Sequence, residues 1–353
     1  MHAVMARGQA RWIRSPGVDA ALALCWVPFA VVAYAVRSEG DTLFLLLNAT
    51  FLLSFYHQPL TLPLVYGDPA EIARHRRIYV WSPLAFVAVI LLGLQVSLAA
   101  VAIVAGLWNA EHTLMQRFGI TRIYGRKSGQ SEGGLERWML VSWLVLALVW
   151  VAADARTEGR IDALPFGQVN ADGLHLLADL RPVALLLLAP AVLAVVGLGG
   201  AWVLAERRRV RAGTANPAKH LYVASTAALF VWILLDPLSG FIAYVGSHAL
   251  EYFLIVHHSL GTRYADGSGG ALGSTVRAPG GRRRFLLGYL AALTGLVVLL
   301  RGWGSEDVYL FAVLLLGGLH VFYDGLIWKL RRPAVARGLV NTPSAQIASN
   351  AIA

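Results

Sequence analysis

Residues 239–260 read SGFIAYVGSHALEYFLIVHHSL. The stretch is apolar enough and, at about 22 residues, long enough to cross the hydrocarbon of a bilayer, which takes roughly 20 residues as a helix. It nevertheless carries four ionisable groups, His248, Glu251, His257 and His258. At about 100° per residue, His248, Glu251 and His258 fall within an arc of roughly 80°, and His257 turns to the neighbouring face. Ionisable groups are costly in hydrocarbon and default to functional candidates. One helix thus presents a column of two imidazoles and a carboxylate, a pattern that a structural role such as capping a hydroxyl explains poorly.

The rest of the chain has the same character. Its 353 residues are 57% hydrophobic and 14% charged, with a mean hydropathy of +0.61. That excess of apolar residues predicts an all-α, polytopic transmembrane helix bundle. Ten runs approach spanning length, at about 19–37, 42–66, 79–95, 97–117, 138–154, 182–205, 220–236, 239–260, 285–301 and 307–330. The third and fourth form one continuous apolar stretch, divided near Gln95 because a single helix of that length would overshoot the membrane. The first run starts too deep, and lacks a small-residue cleavage site, for a removable signal peptide.

Charge sets the expected orientation. Arg7, Arg11 and Arg14, Arg74 to Arg77, Arg117 to Lys127, Arg207 to Arg211, Arg282 to Arg284, and Lys329 to Arg332 mark alternate connections. With ten spans all of these fall on one side, which predicts cytoplasmic N- and C-termini and a multi-pass protein of a bacterial inner (plasma) membrane. The same placement accounts for the net charge of +10 without nucleic acid as a partner, since no basic domain interleaved with aromatics is present. Residues 1–332 are expected to form a single transmembrane helical domain. Residues 155–181 should make a small external cap, residues 261–284 a flexible cytoplasmic loop around Gly267-Ser268-Gly269-Gly270, and residues 333–353 a polar tail.

The single cysteine, Cys25, rules out an internal disulfide and any cysteine-rich metal site, so metal chemistry would use nitrogen and oxygen ligands. Candidates recur on other spans. His320 and Asp324 are spaced i, i+4 on the last span, where the aspartate can ligate or orient a ligating ring. On the fourth, Asn109, His112 and Gln116 share a stripe, with Glu111 beside it. On the second, His57 precedes Pro59 and Pro63, which loosen the helix. The expected metal ligands are His57, His112, His248, Glu251, His257, His258, His320 and Asp324, with Glu111, Glu251 and Asp324 as catalytic carboxylates. Tyr56, Tyr244, Tyr252 and Tyr323 flank them. His75 and His220, in basic connections, read equally well as interfacial histidines or as outer members of the site.

This inventory exceeds a single site of three protein ligands and suits two ions. Imidazole with carboxylate and no thiolate favours iron, while manganese, zinc and copper share those preferences. The expected function is a metal-dependent, di-iron membrane oxidase or oxygenase acting on a lipophilic small molecule delivered by membrane lipid, with a possible redox partner at the basic loops. Two alternatives stay open: a bis-histidine haem protein that moves electrons, and a proton or metal-ion transporter.

The motifs Tyr56-His57-Gln58, Glu111-His112, His257-His258 and His320-Val321-Phe322-Tyr323-Asp324 resemble those of the Brp/Blh membrane family of β-carotene dioxygenases. That resemblance implies histidines from several helices around iron and a carotenoid-like substrate. The chain differs in having Thr61 after His57 and Gln116 after His112, where that family carries an aspartate, and in its last His-to-Asp spacing.

Overall fold

The computed structural model describes residues 11–157, 159, 175, 179–264 and 267–340. Among them every regular element is helical, in the order α1 (Pro16–Leu24), α2 (Trp26–Ala35), α3 (Gly40–His57), a 3-10 turn (Gln58–Leu60), α4 (Thr61–Tyr66), α5 (Pro69–Arg74), α6 (Arg76–Val96) and α7 (Leu98–Lys127). There follow α8 (Gly134–Ala153), α9 (Arg181–Arg211), α10 (Pro217–Leu235), α11 (Pro237–Arg263), α12 (Gly270–Arg277), α13 (Gly281–Trp303), α14 (Glu306–Ile327) and α15 (Pro333–Leu339). Ten helical stretches among the described residues are long and apolar enough to cross a membrane, counting α1 with α2 and α3 with α4 as one stretch each. The chain is therefore described as a multi-pass membrane protein. Each stretch coincides with one of the ten apolar runs.

Two breaks have plain causes. Pro59 and Pro63 have no amide proton to give the carbonyls four residues back, so α3 tightens into the 3-10 turn immediately after His57 before α4 resumes. Between α6 and α7 the backbone turns extended at Ser97 (φ −169°, ψ 124°). The division expected near Gln95 falls there.

The chain divides into two compact units: Met1–Thr50 with Ala102–His248 form unit 1, and Phe51–Val101 with Ala249–Ala353 form unit 2. In unit 1, α8 packs along α9 and α10 packs on α1 and α8, around Trp26, Leu114, Leu140, Phe230 and Tyr244. A Cβ on Gly246 would lie 2.6 Å from the Phe29 ring; a glycine lets α11 approach α2 this closely, as small residues do between membrane helices. In unit 2, α14 packs against α6, the 3-10 turn and α4, around Leu60, Leu64, Tyr79, Tyr252, Val256, Leu319 and Tyr323.

Within residues 261–284, expected as a flexible loop, the structure places α12. It buries Leu272 and Val276, and Arg277 Nη1 donates to the carbonyls of Tyr264 (3.1 Å) and Ser268 (2.9 Å). Gly269 (φ +90°) supplies the left-handed turn that starts it. Most of the expected external cap, and residues 341–353 of the expected tail, lie outside the described residues.

Candidate functional site

A buried polar cluster of unit 2 gathers where α3 ends in its 3-10 turn. His57 is fully buried there, and Thr61, four residues on, opens α4 and is equally buried. α14 contributes His320 and Asp324, 1% and 8% exposed, and α11 contributes Tyr252. The His57 and His320 rings meet edge-on with centroids 4.8 Å apart. Tyr252 lies against both, at 5.3 Å from His57 and 5.1 Å from His320.

Hydrogen bonding orders the cluster. Asp324 Oδ1 accepts from the Thr61 hydroxyl (2.9 Å), the Tyr252 hydroxyl (2.9 Å) and Trp328 Nε1–H (3.2 Å). Thr61 Oγ1 also lies 2.7 Å from His320 Nδ1 and 2.8 Å from Tyr252 Oη. A threonine hydroxyl has one proton. Donated to Asp324, it leaves Thr61 an acceptor, so that His320 Nδ1 carries the proton and Nε2 is the lone-pair nitrogen. Asp324 acts on the ring through Thr61, since its own Oδ1 is 3.8 Å from Nδ1. A carboxylate fixing the tautomer of an imidazole in this way is how proteins prepare histidine ligands.

These donors could hold a metal ion. One ligand atom from His57 and one from His320 lie within 4.8 Å of each other, and two nitrogens on one ion, each at about 2.1 Å, can be no more than about 4.2 Å apart. Nitrogen and oxygen donors without sulfur suit iron and its first-row neighbours.

Unit 1 holds a second imidazole pair. His112, on α7, and His248, on α11, meet edge-on with centroids 5.1 Å apart and both are buried. Around them, Gln116 Nε2 donates to the His248 carbonyl (3.0 Å) and the Tyr244 hydroxyl to the Ala110 carbonyl (2.8 Å). One turn along α7, the fully buried Arg117 donates to Ser247 Oγ (2.8 Å) and Thr226 Oγ1 (3.2 Å).

The remaining candidates divide. Glu251 is fully buried on α11, while His257 and His258 are half-buried. Glu111 is exposed: one residue along a helix turns the side chain about 100° from His112. His75 belongs to a different cluster. Its Nε2 accepts from Arg332 Nη2 (3.2 Å), and Arg332 Nη1 donates to both Glu71 oxygens (2.8 and 2.9 Å). Arg263 lies 3.3 Å from Glu71 and 3.5 Å from Asp68. Burial pushes the Glu71 carboxyl up, but hydrogen bonds from Arg332 and Tyr79 and the two arginine charges outweigh it and hold the group below the ordinary range. Burial and then the Arg332 charge lower His75. His220 donates to or accepts from Glu206 at 2.7 Å in unit 1.

Of the flanking tyrosines, Tyr252 joins the cluster. Tyr323 bonds Tyr66 and Ser82 (2.8 and 2.9 Å), and Tyr56 bonds Thr294 (2.8 Å). Thr61 and Trp328 escaped the sequence reading, although their spacing, four residues after His57 and after Asp324, was the available signal.

No protein-family model, curated protein or solved structure matches this chain. The functional argument therefore rests on the residues themselves.

Proposed function

We propose that this is an integral-membrane, metal-dependent oxidase or oxygenase that acts on a lipophilic substrate. The observation that carries the reading is the buried network in which Asp324, through Thr61, orients His320 beside His57. Imidazoles and a carboxylate are expensive to hold in a membrane interior, and a bound dication stabilises this combination of neutral rings and ionised acid. In the proposal His57 and His320 ligate one iron and His112 and His248 another. Glu251 is a further carboxylate ligand, His257 and His258 are supporting groups, and Asp324 is a positioning residue. Manganese, zinc and copper accept the same donors.

Iron would supply the capacity to activate oxygen. The chain supplies the rest. Tyr252 and Trp328 cover Asp324 and exclude water, Thr61 holds the proton on Nδ1 of His320, and apolar helices give access to a substrate dissolved in lipid. The Brp/Blh resemblance points to an apolar polyene as the substrate class. The charge pattern supports cytoplasmic termini.

The spacing of the imidazoles favours bare ions over haem. Axial rings on opposite faces of a haem iron have centroids about 6 Å apart with the macrocycle between them, given metal–nitrogen bonds of about 2 Å. Edge-on rings at 4.8 and 5.1 Å leave no such slot. Elemental analysis of the detergent-purified protein, read with its visible spectrum, tests the reading. Stoichiometric iron without a Soret band, with iron-dependent oxygen uptake on a lipophilic polyene, is expected. Absence of bound metal, or an intense Soret band, would overturn it.

A further inference from the structure

Among the described residues, α13 is the least buried of the ten spans. Phe285, Leu286 and Tyr289 pack against the core of unit 2, and Leu293, one turn further along, is buried. Two side-chain hydrogen bonds tie this helix to α3, and both end on Tyr56. The Tyr289 hydroxyl donates to the Tyr56 carbonyl (2.7 Å), and the Tyr56 hydroxyl lies 2.8 Å from Thr294 Oγ1. Thr294 donates its own proton to the Leu290 carbonyl (2.8 Å), so Tyr56 is the donor in the second bond. Tyr289 and Thr294 are separated by about 7.5 Å along the helix axis, and between them they hold Tyr56 at its backbone and at its tip.

Hydrogen bonds of this kind commonly dock one membrane helix on another. What singles these two out is where they converge. Tyr56 immediately precedes His57, at the point where α3 gives way to the 3-10 turn. Pro59 has no amide proton for the carbonyl of Phe55, so the ladder that would fix His57 from within its own helix is interrupted here. The Tyr56 carbonyl belongs to the peptide unit that joins Tyr56 to His57. A hydrogen bond from a neighbouring helix therefore sets the orientation of that unit, and with it the direction in which the His57 side chain leaves the backbone. The His57 ring in turn meets His320 edge-on at 4.8 Å and lies 5.3 Å from Tyr252, separations that a rotation of that peptide would alter.

We infer that Tyr289 is a positioning residue for His57, with Thr294 holding Tyr56 from its other end, so that α13 presets this imidazole of the candidate site. The purpose of the clamp rests on the metal reading; its existence is tested without metal. The test uses NMR of the full-length, metal-free protein, isotope-labelled in its histidine rings, with the His57 signals identified by their loss in His57→Gln. Tyr289→Phe should shift the His57 signals and leave those of His75, elsewhere in unit 2, in place. Thr294→Val should do the same, and Thr294→Ser, which keeps the hydroxyl, should match the wild type. Tyr66→Phe loses hydroxyl bonds of similar length, to the Tyr79 carbonyl (2.7 Å) and Tyr323 (2.8 Å), and should leave His57 unmoved. In cobalt titrations Tyr289→Phe should weaken binding about tenfold, the lower end of the effect of losing a partner that orients a ligand, with no matching loss in Tyr66→Phe. Unshifted His57 signals in Tyr289→Phe, or an equal shift in Tyr66→Phe, would overturn the clamp. A wild-type protein that takes up no cobalt would instead overturn the metal reading, with the histidine signals still deciding the clamp. If Tyr289→Phe fails to fold, the contrast between Thr294→Val and Thr294→Ser decides it.

Discussion

Each unit buries a group of ionisable side chains, and the two groups are built on opposite principles. In unit 1, Lys219 is fully buried with Nζ 2.7 Å from Gln130 Oε1, 2.5 Å from Glu136 Oε1 and 2.6 Å from Glu206 Oε1, and Arg209 binds the same acids. Charge is balanced by the protein's own residues, with Lys219 at hydrogen-bonding length from both acids and Arg209 from Glu206, which is the condition under which buried ion pairs survive desolvation. In unit 2, two hydroxyls and an indole donate to Asp324 Oδ1, and the ring it orients through Thr61 is an imidazole. The first arrangement is complete as it stands and holds helices together. The second is arranged to set the proton on a metal-ligand type of side chain, and so has the form of a site.

The contrast is broken most severely at Lys219. Lys219→Met should destabilise the protein by roughly 3–5 kcal/mol, because two carboxylates then remain buried around one arginine; thermal unfolding in detergent reads the loss. His320→Ala should cost far less stability while removing bound metal. If the two variants unfold alike and both keep their metal, the distinction fails.

A finer test separates Asp324's two possible roles. Thr61→Val keeps the side-chain shape and removes the relay, so metal affinity should fall about 10- to 100-fold, the usual effect of losing a partner that orients a ligand, whereas Thr61→Ser should restore it. Equal affinity for Thr61→Val and wild type would show that the carboxylate acts without the hydroxyl.

Acid should probe the third ion cluster, around Glu71. Its folded-state carboxyl titrates below the ordinary value of 4.5, so its contribution is present above that pH and is lost as pH falls through the lower folded value. His75 is lowered below 6.5, so the unfolded chain takes up a proton first and stability also falls as pH drops below 6.5. Stability should therefore rise with pH up to about neutrality, and His75→Gln should flatten the upper part of that rise in denaturation series run at several pH values. The smallest effect is expected at Glu111. Being exposed, Glu111→Gln should change metal content and oxygen uptake hardly at all, and a large loss in either would restore it to the site.

The ten spans were legible because a bilayer demands contiguous apolar residues, and the breaks at Pro59 and Ser97 followed from lost amide protons and from excess length. The buried histidines were legible because imidazole is costly in hydrocarbon. Their partners were not. Thr61 and Trp328 belong to types that membrane helices carry routinely, so only the fold reveals that both serve Asp324. His75 and His220 looked like candidates for the same site. Pairing with Arg332 and Glu206, residues distant in sequence or on another helix, assigns them elsewhere. The order in residues 270–277 was hidden by the glycines that start α12, since a glycine at positive φ and a glycine in a loose linker look the same in a sequence.

The most direct measurement is the iron content of the purified wild-type protein beside that of His57→Ala and His320→Ala, each confirmed as folded by its thermal transition. The account predicts stoichiometric iron in the wild type and its loss from the unit 2 pair in both variants. A wild-type protein that binds no metal when reconstituted with ferrous iron, or variants that retain the full complement, would contradict it.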